Sequence, residues 1–206
     1  TGGDEPAIDL AERIRLLAGW KEAADPSDRA TLLQPLQTTA GAATEAEPLW
    51  IFFFGHSNPT AAGAKYNVPG PDPDERELAE ALKPATGPVV IVHTTSSSGR
   101  FTRHLAGKNR VVLTATLPGE EDNETDYGRL LPGVLVHPGT DADKDGRVTP
   151  LELHRAMADA VKDHYNQAGF IQRESPNLEA DGDGRGTQKP ADADAKAATG
   201  VSLPLR

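Results

Sequence analysis

The sequence has no cysteine, few aromatic residues and no long apolar run. Without cysteine, the 206-residue chain has no disulfides, no thiolate metal ligands and no cysteine nucleophile. No apolar run approaches the roughly 20 residues of a membrane-spanning helix, so no span is predicted. Positive charge is also scarce, because 31 acidic residues outnumber 21 Lys and Arg residues and leave a formal net charge of −10. Such a chain repels nucleic-acid phosphates, so we expect divalent cations rather than nucleic acid as partners.

The apolar residues are concentrated in a few dense runs. Residues 49–54 (LWIFFF), 88–95 (PVVIVHTT) and 110–117 (RVVLTATL) are typical of strands that are buried on both faces. Helical segments separate these runs, and that alternation indicates parallel β-α-β units. We therefore predict an α/β fold: a three-layer α-β-α sandwich with a mostly parallel sheet.

The chain divides into three parts by composition. Residues 1–48 form a helical segment with predicted helices at 7–18 and 27–40, and the opening TGGDEP indicates a processed or cropped start. Residues 49–170 form the α/β core. Residues 171–206 hold an Asp/Gly-rich loop and a tail that we expect to be disordered after about residue 188.

The run DADKDGRVTPLE, residues 141–152, is typical of an EF-hand calcium loop. Calcium takes six to eight oxygen ligands, which a twelve-residue loop supplies from positions 1, 3, 5, 7, 9 and 12, with glycine at position 6. Gly146 stands at the sixth position, and Val148 is the apolar eighth residue. The predicted Ca²⁺ ligands are Asp141, Asp143, Asp145, the carbonyl of Arg147, Thr149 and Glu152.

A second acidic stretch, residues 179–187, has similar spacing. Glu179, Asp181, Asp183 and Arg185 would occupy positions 1, 3, 5 and 7, but position 12 is then Pro190 and the bidentate acid is missing. Three interpretations stay open: a weak calcium site, a site completed from elsewhere in the chain, and a flexible acidic turn.

Two predicted strands end in residues that can carry chemistry. The first ends in Gly55-His56 and the second in the cluster Thr95–Gly99, which contains three serines. Ligands of open parallel sheets bind beyond the carboxyl ends of the strands, and a histidine beside a nucleophile is a minimal catalytic dyad. Arg100 and Arg103 follow closely and are candidate ligands for an acidic group.

The motifs IFFFGHS, AKYNVPGPD, VVIVHTTSSSG, NRVVLTAT and NETDYG, followed by the acidic loop, occur in this order over residues 49–187. Together they resemble the caspase and legumain-like (C13-like) cysteine peptidases, and the bacterial caspase-like domains in particular. The resemblance implies a caspase-like fold, with His56 at the position of the catalytic histidine. It places Ser96 at the nucleophile position, or Ser97 if the register slips by one residue.

The chain departs from that family pattern in several ways. Serine replaces the nucleophilic cysteine, and a serine hydroxyl needs a general base and an orienting carboxylate that the sequence does not reveal nearby. Ser57 stands where the family usually has a glycine whose amide helps to form the oxyanion hole. No apolar strand precedes residue 49, so the sheet is expected to lack its first strand.

Three functions are compatible with these features. The first is a catalytically inactive calcium-binding caspase-like domain, a pseudoenzyme that serves as a binding or scaffold module. The second is a peptide hydrolase with Ser96 as nucleophile and His56 as base. The third is a calcium-stabilised extracellular structural or adhesion domain. Loop affinities of roughly 10⁻⁵–10⁻³ M would suit a periplasmic or secreted setting, which we expect for this chain.

Overall fold

The computed structural model describes residues 28–119 and 121–204. Its strands are β1 (Leu49–Phe53), β2 (Ser57–Pro59), β3 (Ala64–Tyr66), β4 (Val89–His93), β5 (Arg110–Thr114), β6 (Arg147–Val148), β7 (Asn177–Glu179) and β8 (Leu203–Pro204). Its α-helices are α1 (Arg29–Gly41), α2 (Glu75–Ala81), α3 (Thr102–Leu105), α4 (Tyr127–Leu135), α5 (Pro150–Ala168) and α6 (Asp192–Ala198). A 3₁₀ turn, Ser98–Phe101, leads into α3.

The main sheet has four strands in the order β1-β4-β5-β7. β1, β4 and β5 are parallel, and β7 runs antiparallel to β5. The register aligns Phe53, His93 and Thr114, so the carboxyl ends of the three parallel strands lie at one edge. The mostly parallel α/β sheet predicted from the apolar runs is confirmed.

Helices cover both faces of this sheet. Successive side chains of a strand point to opposite faces, so Val90 and Val92 of β4 join one apolar cluster whereas Val89 and Ile91 join the other. The first cluster packs against α4, α5 and α6, and the second against α1, α2 and the segment around Leu105. The predicted arrangement in three layers is therefore present.

The described N-terminal part contains one of the two predicted helices. Asp28 is the N-cap of α1, and its carboxylate accepts a hydrogen bond of 2.9 Å from the amide of Thr31 in a capping box. The predicted helix at 7–18 lies outside the described residues. Within the described range no strand precedes β1, which is the edge of the sheet there. No helix of the described chain is long and apolar enough to cross a lipid bilayer.

The C-terminal part differs from the disordered tail that we expected after residue 188. β7 joins the main sheet, α6 follows, and β8 pairs antiparallel with β6 of the acidic loop at residues 141–152. Ala198, Val201 and Leu203 are buried in the cluster beneath α5. Polar composition suggested disorder, but these few apolar side chains are enough to dock the segment on the core.

His93, at the end of β4, is an ionisable side chain inside the core. It is 0% exposed, and its ring lies between Phe53 and Phe101 at centroid distances of 5.0 and 4.3 Å. Burial lowers the pKa of His93 to about 3. The imidazole is therefore neutral in the folded protein at neutral pH.

We predict that His93→Phe makes the protein more resistant to acid. Between pH 6.5 and pH 3 the unfolded chain protonates His93 and the folded chain does not. The stability that is linked to the neutral imidazole is therefore fully present above pH 6.5 and is lost as the pH falls toward 3. From pH 7 to pH 4, the wild type should lose on the order of 3 kcal/mol more unfolding free energy than the variant. Urea unfolding at several pH values measures this difference.

The matched control is His137→Gln, which removes an exposed histidine. It should follow the wild-type dependence of stability on pH. If His93→Phe follows the same dependence as the wild type, the buried neutral imidazole is not the source of acid sensitivity.

Candidate metal loops and strand-end cleft

The acidic loop at 141–152 brings three carboxylates together. One carboxylate oxygen from each of Asp141, Asp143 and Asp145 lies within 4.8 Å of the others. The amide of Gly146 donates to Asp141 Oδ2 at 2.9 Å, and Gly146 itself has a φ of +81°, which favours glycine. The sequence therefore bends the chain so that side chains two residues apart face one point.

The exit of the loop is held by a capping box. Thr149 is the N-cap of α5, and its hydroxyl accepts from the Glu152 amide at 3.2 Å. Glu152 Oε2 accepts from the Thr149 amide, and Oε1 accepts from the Ala142 amide, both at 2.9 Å. Glu152 is thus bound to the backbone at both ends of the loop and lies outside the triad of converging oxygens.

Electrostatics distinguishes the acids of this loop. Burial raises the pKa of Glu152, but hydrogen bonds from Thr149 and from the amides of Ala142 and Asp143 outweigh it, and the net pKa is lowered. For Asp143, the hydrogen bond from the Asp145 amide lowers the pKa, but desolvation and the neighbouring carboxylates raise it above its ordinary value. The carboxylates of the triad repel one another, so a cation between them would be stabilised.

The second acidic stretch forms a similar triad at the end of β7. Oxygens from Glu179, Asp181 and Asp183 also lie within 4.8 Å of one another. Burial raises the pKa of Glu179 to about 7, and Asp194 and Asp181 add to the rise against the hydrogen bonds from the Gly184 and Gly182 amides. Both triads offer only oxygen donors and could hold a metal ion.

A cleft of about 240 Å³ opens beyond the carboxyl ends of β1 and β4. His56 and Ser96 both line it, as the strand order predicted. The remaining lining residues are Phe54, Gly55, Thr94, Glu124, Thr125, Gly128 and Arg129. In the described structure, however, no hydrogen bond joins the imidazole of His56 to the hydroxyl of Ser96.

Ser96 is bound to Ser57 instead. The Ser96 hydroxyl donates to the Ser57 carbonyl at 2.8 Å, and the Ser57 hydroxyl donates in return to the Ser96 carbonyl. Both residues are buried. This reciprocal pair joins the segments that follow β1 and β4, and it gives a structural reason for a serine rather than a glycine at position 57.

The other two serines of the cluster are also bound within the protein. The Ser97 hydroxyl donates to Asp122 Oδ1 at 2.7 Å. The Ser98 hydroxyl accepts from the amides of Ala115 and Thr116 at 3.0 and 3.2 Å, just beyond the end of β5. The cluster therefore acts as a set of hydrogen bonds between strand ends.

His56 has a carboxylate partner that sequence reasoning missed. Its Nδ1 lies 3.6 Å from Glu124 Oε1, and the two side chains are 65% and 85% exposed. Glu124 follows His56 by 68 positions in the chain, so only the fold brings them together. Because both groups face water, this contact orients the imidazole weakly.

The two candidate arginines lie in different places. The Arg100 guanidinium makes two hydrogen bonds of 2.8 Å to the carboxylate of Asp122, which holds the pKa of that carboxyl below its ordinary value despite some desolvation. Arg103 is exposed and does not line the cleft; its backbone lies against Gly184 of the second acidic loop. Arg100 thus already has an internal acidic partner.

Fold and site together define an α/β protein with a four-stranded, mostly parallel sheet and two acidic triads. No protein-family model and no curated protein matches the sequence. Among solved structures, the chain is similar to protein GSU0716 from Geobacter sulfurreducens, with 12% identity, a TM-score of 0.48 and coverage of 82% of this chain and 77% of that chain. This distant likeness gives neither a family nor a function.

We predict that Ser98→Ala destabilises the fold. Ser98 is 0% exposed, and its hydroxyl accepts from two backbone amides; alanine would leave the Thr116 amide unpaired, whereas the Ala115 amide keeps its bond of 3.1 Å to the His93 carbonyl. The expected loss is about 1–3 kcal/mol of unfolding free energy, measured by urea titration.

Thr39→Ala is the control, because it removes an exposed hydroxyl from α1 and should change stability by less than about 0.5 kcal/mol. Equal effects of the two substitutions would contradict the structural role assigned to the serine cluster.

Proposed function

We propose that this protein is a calcium-binding, caspase-like domain without peptidase activity that uses its strand-end cleft as a binding site. The observation that carries the proposal is the convergence of Asp141, Asp143 and Asp145 on one point in a loop with EF-hand spacing. The caspase-like relation rests on the order of the sequence motifs and agrees with a parallel sheet in which His56 and Ser96 follow the ends of β1 and β4.

Calcium fits the first loop better than the other common ions. Its donors are carboxylates and a carbonyl, whereas zinc and copper sites use thiolates or imidazoles, and magnesium keeps a rigid octahedron rich in water. Glu152 sits at the twelfth position, where EF-hand loops supply a bidentate carboxylate. Calcium binding would turn this side chain from the Ala142 and Thr149 amides toward the ion.

The absence of peptidase activity is inferred from the partners of the serines. A serine nucleophile needs a hydrogen bond from its hydroxyl to a base, and the Ser96 hydroxyl donates to the Ser57 carbonyl. A carbonyl oxygen cannot take up a proton at neutral pH. The pairing of Ser57 with Ser96 therefore favours a structural role for the nucleophile position.

The cleft has the size and lining of a small recognition site. Its volume of about 240 Å³ is below the roughly 300–1,000 Å³ typical of small-molecule pockets, so it suits one side chain of a bound peptide better than a buried ligand. Phe54 offers an apolar surface, and Glu124 and Arg129 offer charges of both signs. We infer a peptide or protein partner at this edge of the sheet.

A second candidate function, peptide hydrolysis by Ser96 and His56, is favoured by one observation. Glu124 lies 3.6 Å from His56 Nδ1 and is the kind of orienting carboxylate that a serine hydrolase requires. Rotation of the Ser96 hydroxyl away from Ser57 would be needed to complete the dyad.

An extracytoplasmic location is part of the proposal. The first loop carries Lys144 and Arg147 among its acids, and this reduced negative charge favours weak binding, in the range of roughly 10⁻⁴–10⁻³ M seen for extracellular calcium modules. Such a site would be filled where calcium is abundant.

We predict that calcium raises the melting temperature and that Glu152→Gln weakens this effect. Binding to the folded state alone stabilises it by about 2.7 kcal/mol when calcium is at 100 times its Kd. Glutamine preserves the capping box of α5, so the variant tests the charge of Glu152 rather than the helix cap. Thermal unfolding in calcium and in EDTA measures the shift.

Asp163→Asn is the matched control, because it removes one charge from the exposed face of α5, about 17 Å along the helix from Glu152. It should keep the full calcium shift. Identical melting curves of the wild-type protein in calcium and EDTA would refute calcium binding.

We predict that an active-site serine probe, a fluorophosphonate, does not label the protein specifically, because Ser96 lacks a general base. The measurement is intact-mass analysis of wild type and Ser96→Ala after incubation with the probe in calcium. Labelling of the wild type that is lost in Ser96→Ala, and also in His56→Ala, would establish the hydrolase instead.

A further inference from the structure

Glu179 presents a buried oxygen without a partner. The residue is 0% exposed, and no group in the described part of the chain donates a hydrogen bond to its Oε2. Its carboxylate belongs to the triad with Asp181 and Asp183, so the unpartnered group lies in a cluster of negative charge. A buried carboxylate oxygen in this setting costs free energy unless a donor or a cation satisfies it.

The loop that follows β7 has the same backbone course as the loop at 141–152. Positive φ values occur at the fourth and sixth positions of both: Lys144 and Gly146 in the first loop, Gly182 and Gly184 in the second. In both loops the amide at position 6 donates to the acid at position 1, and the amide at position 7 donates to the acid at position 5. The two loops differ at the twelfth position, where the second has Pro190.

Asp194 of α6 takes the place of the missing twelfth residue. In the first loop, Glu152 accepts a hydrogen bond of 2.9 Å from the amide at position 2, Ala142, and the nearby amide at position 3, Asp143, also lowers the pKa of Glu152. In the second loop, Asp194 Oδ1 accepts from the amides at the same two positions, Ala180 at 2.8 Å and Asp181 at 3.3 Å. Asp194 is therefore the spatial equivalent of Glu152.

We propose that Glu179, Asp181, Asp183 and Asp194 form a second calcium site, in which α6 supplies the acid that the loop lacks. The Arg185 carbonyl, at position 7, is the fifth oxygen ligand.

The charges of the cluster support this assignment. Its four carboxylates come from two separate segments, and among the described residues no ion pair joins them to a basic side chain. Desolvation and the charges of Asp181 and Asp183 raise the pKa of Asp194 against the hydrogen bonds from the Ala180 and Asp181 amides. A divalent cation would turn this repulsion into attraction and hold α6 against β7.

The test is the number of calcium ions bound by the full chain, measured by equilibrium dialysis with calcium alone at millimolar concentration. The wild type should bind two ions and Asp194→Asn one. Asparagine keeps an oxygen that can accept from the Ala180 and Asp181 amides, so the variant removes charge rather than the contact. Asp163→Asn, with the same loss of charge on α5, should still bind two.

A second variant tests whether a loss of calcium binding in Asp194→Asn is caused by misfolding. Asp181 is exposed, so Asp181→Asn should leave the fold intact, as judged by circular dichroism, and should also reduce the number of bound ions by one. If both variants still bind two ions, the proposal is wrong. It is also wrong if the wild type binds a single ion and only Asp145→Asn removes that ion.

The same measurement distinguishes the case in which residues 141–152 bind no calcium. A wild-type protein that binds one ion, lost in Asp194→Asn and retained in Asp145→Asn, would support the second site and contradict the proposed role of residues 141–152. A wild-type protein that binds no ion would overturn both.

Discussion

The pairing of β4 between β1 and β5 is the constraint on which the rest of the structure depends. Every residue of β4 is buried, so its backbone groups must be satisfied by the two neighbouring strands. The register that results places the ends of the parallel strands together and creates the cleft. It also leaves the outer edge of β5 free for β7, which carries the second acidic loop.

The two kinds of site in this protein differ in how their polar groups are satisfied. At the strand ends, the hydroxyls of Ser57, Ser96 and Ser98 all have partners within the protein, so the sequence SSSG contributes rigidity. At the acidic loops, carboxylates converge and repel one another, and backbone amides offset this only in part. The acidic triads could therefore hold a metal ion, whereas the serine hydroxyls are already occupied by bonds within the protein.

The fold class and the first loop could be predicted from sequence because each depends on neighbours in the chain. Strand runs and the spacing of Asp141, Asp143 and Asp145 are local patterns. The partner of His56 and the acid beside the second loop could not be predicted from sequence, because tertiary packing brings in Glu124 and Asp194. The C-terminal docking was missed for a related reason: Val201 and Leu203 are too few to form a periodic pattern, yet they fill one edge of the core.

The antiparallel direction of β7 separates the second loop from the cleft. β7 begins opposite Thr114, at the cleft end of the sheet, and runs toward the other end, where Gly182 lies against Gly107. Glu179 pairs with Val112 of β5, and β1, which leads to His56, lies three strands away from β7; at about 4.8 Å between neighbouring strands this is roughly 14 Å, more than the screening length of about 8 Å at physiological ionic strength. An ion held beside Glu179 therefore exerts little field on His56. Metal binding at the second loop and binding in the cleft would therefore be electrostatically independent of each other.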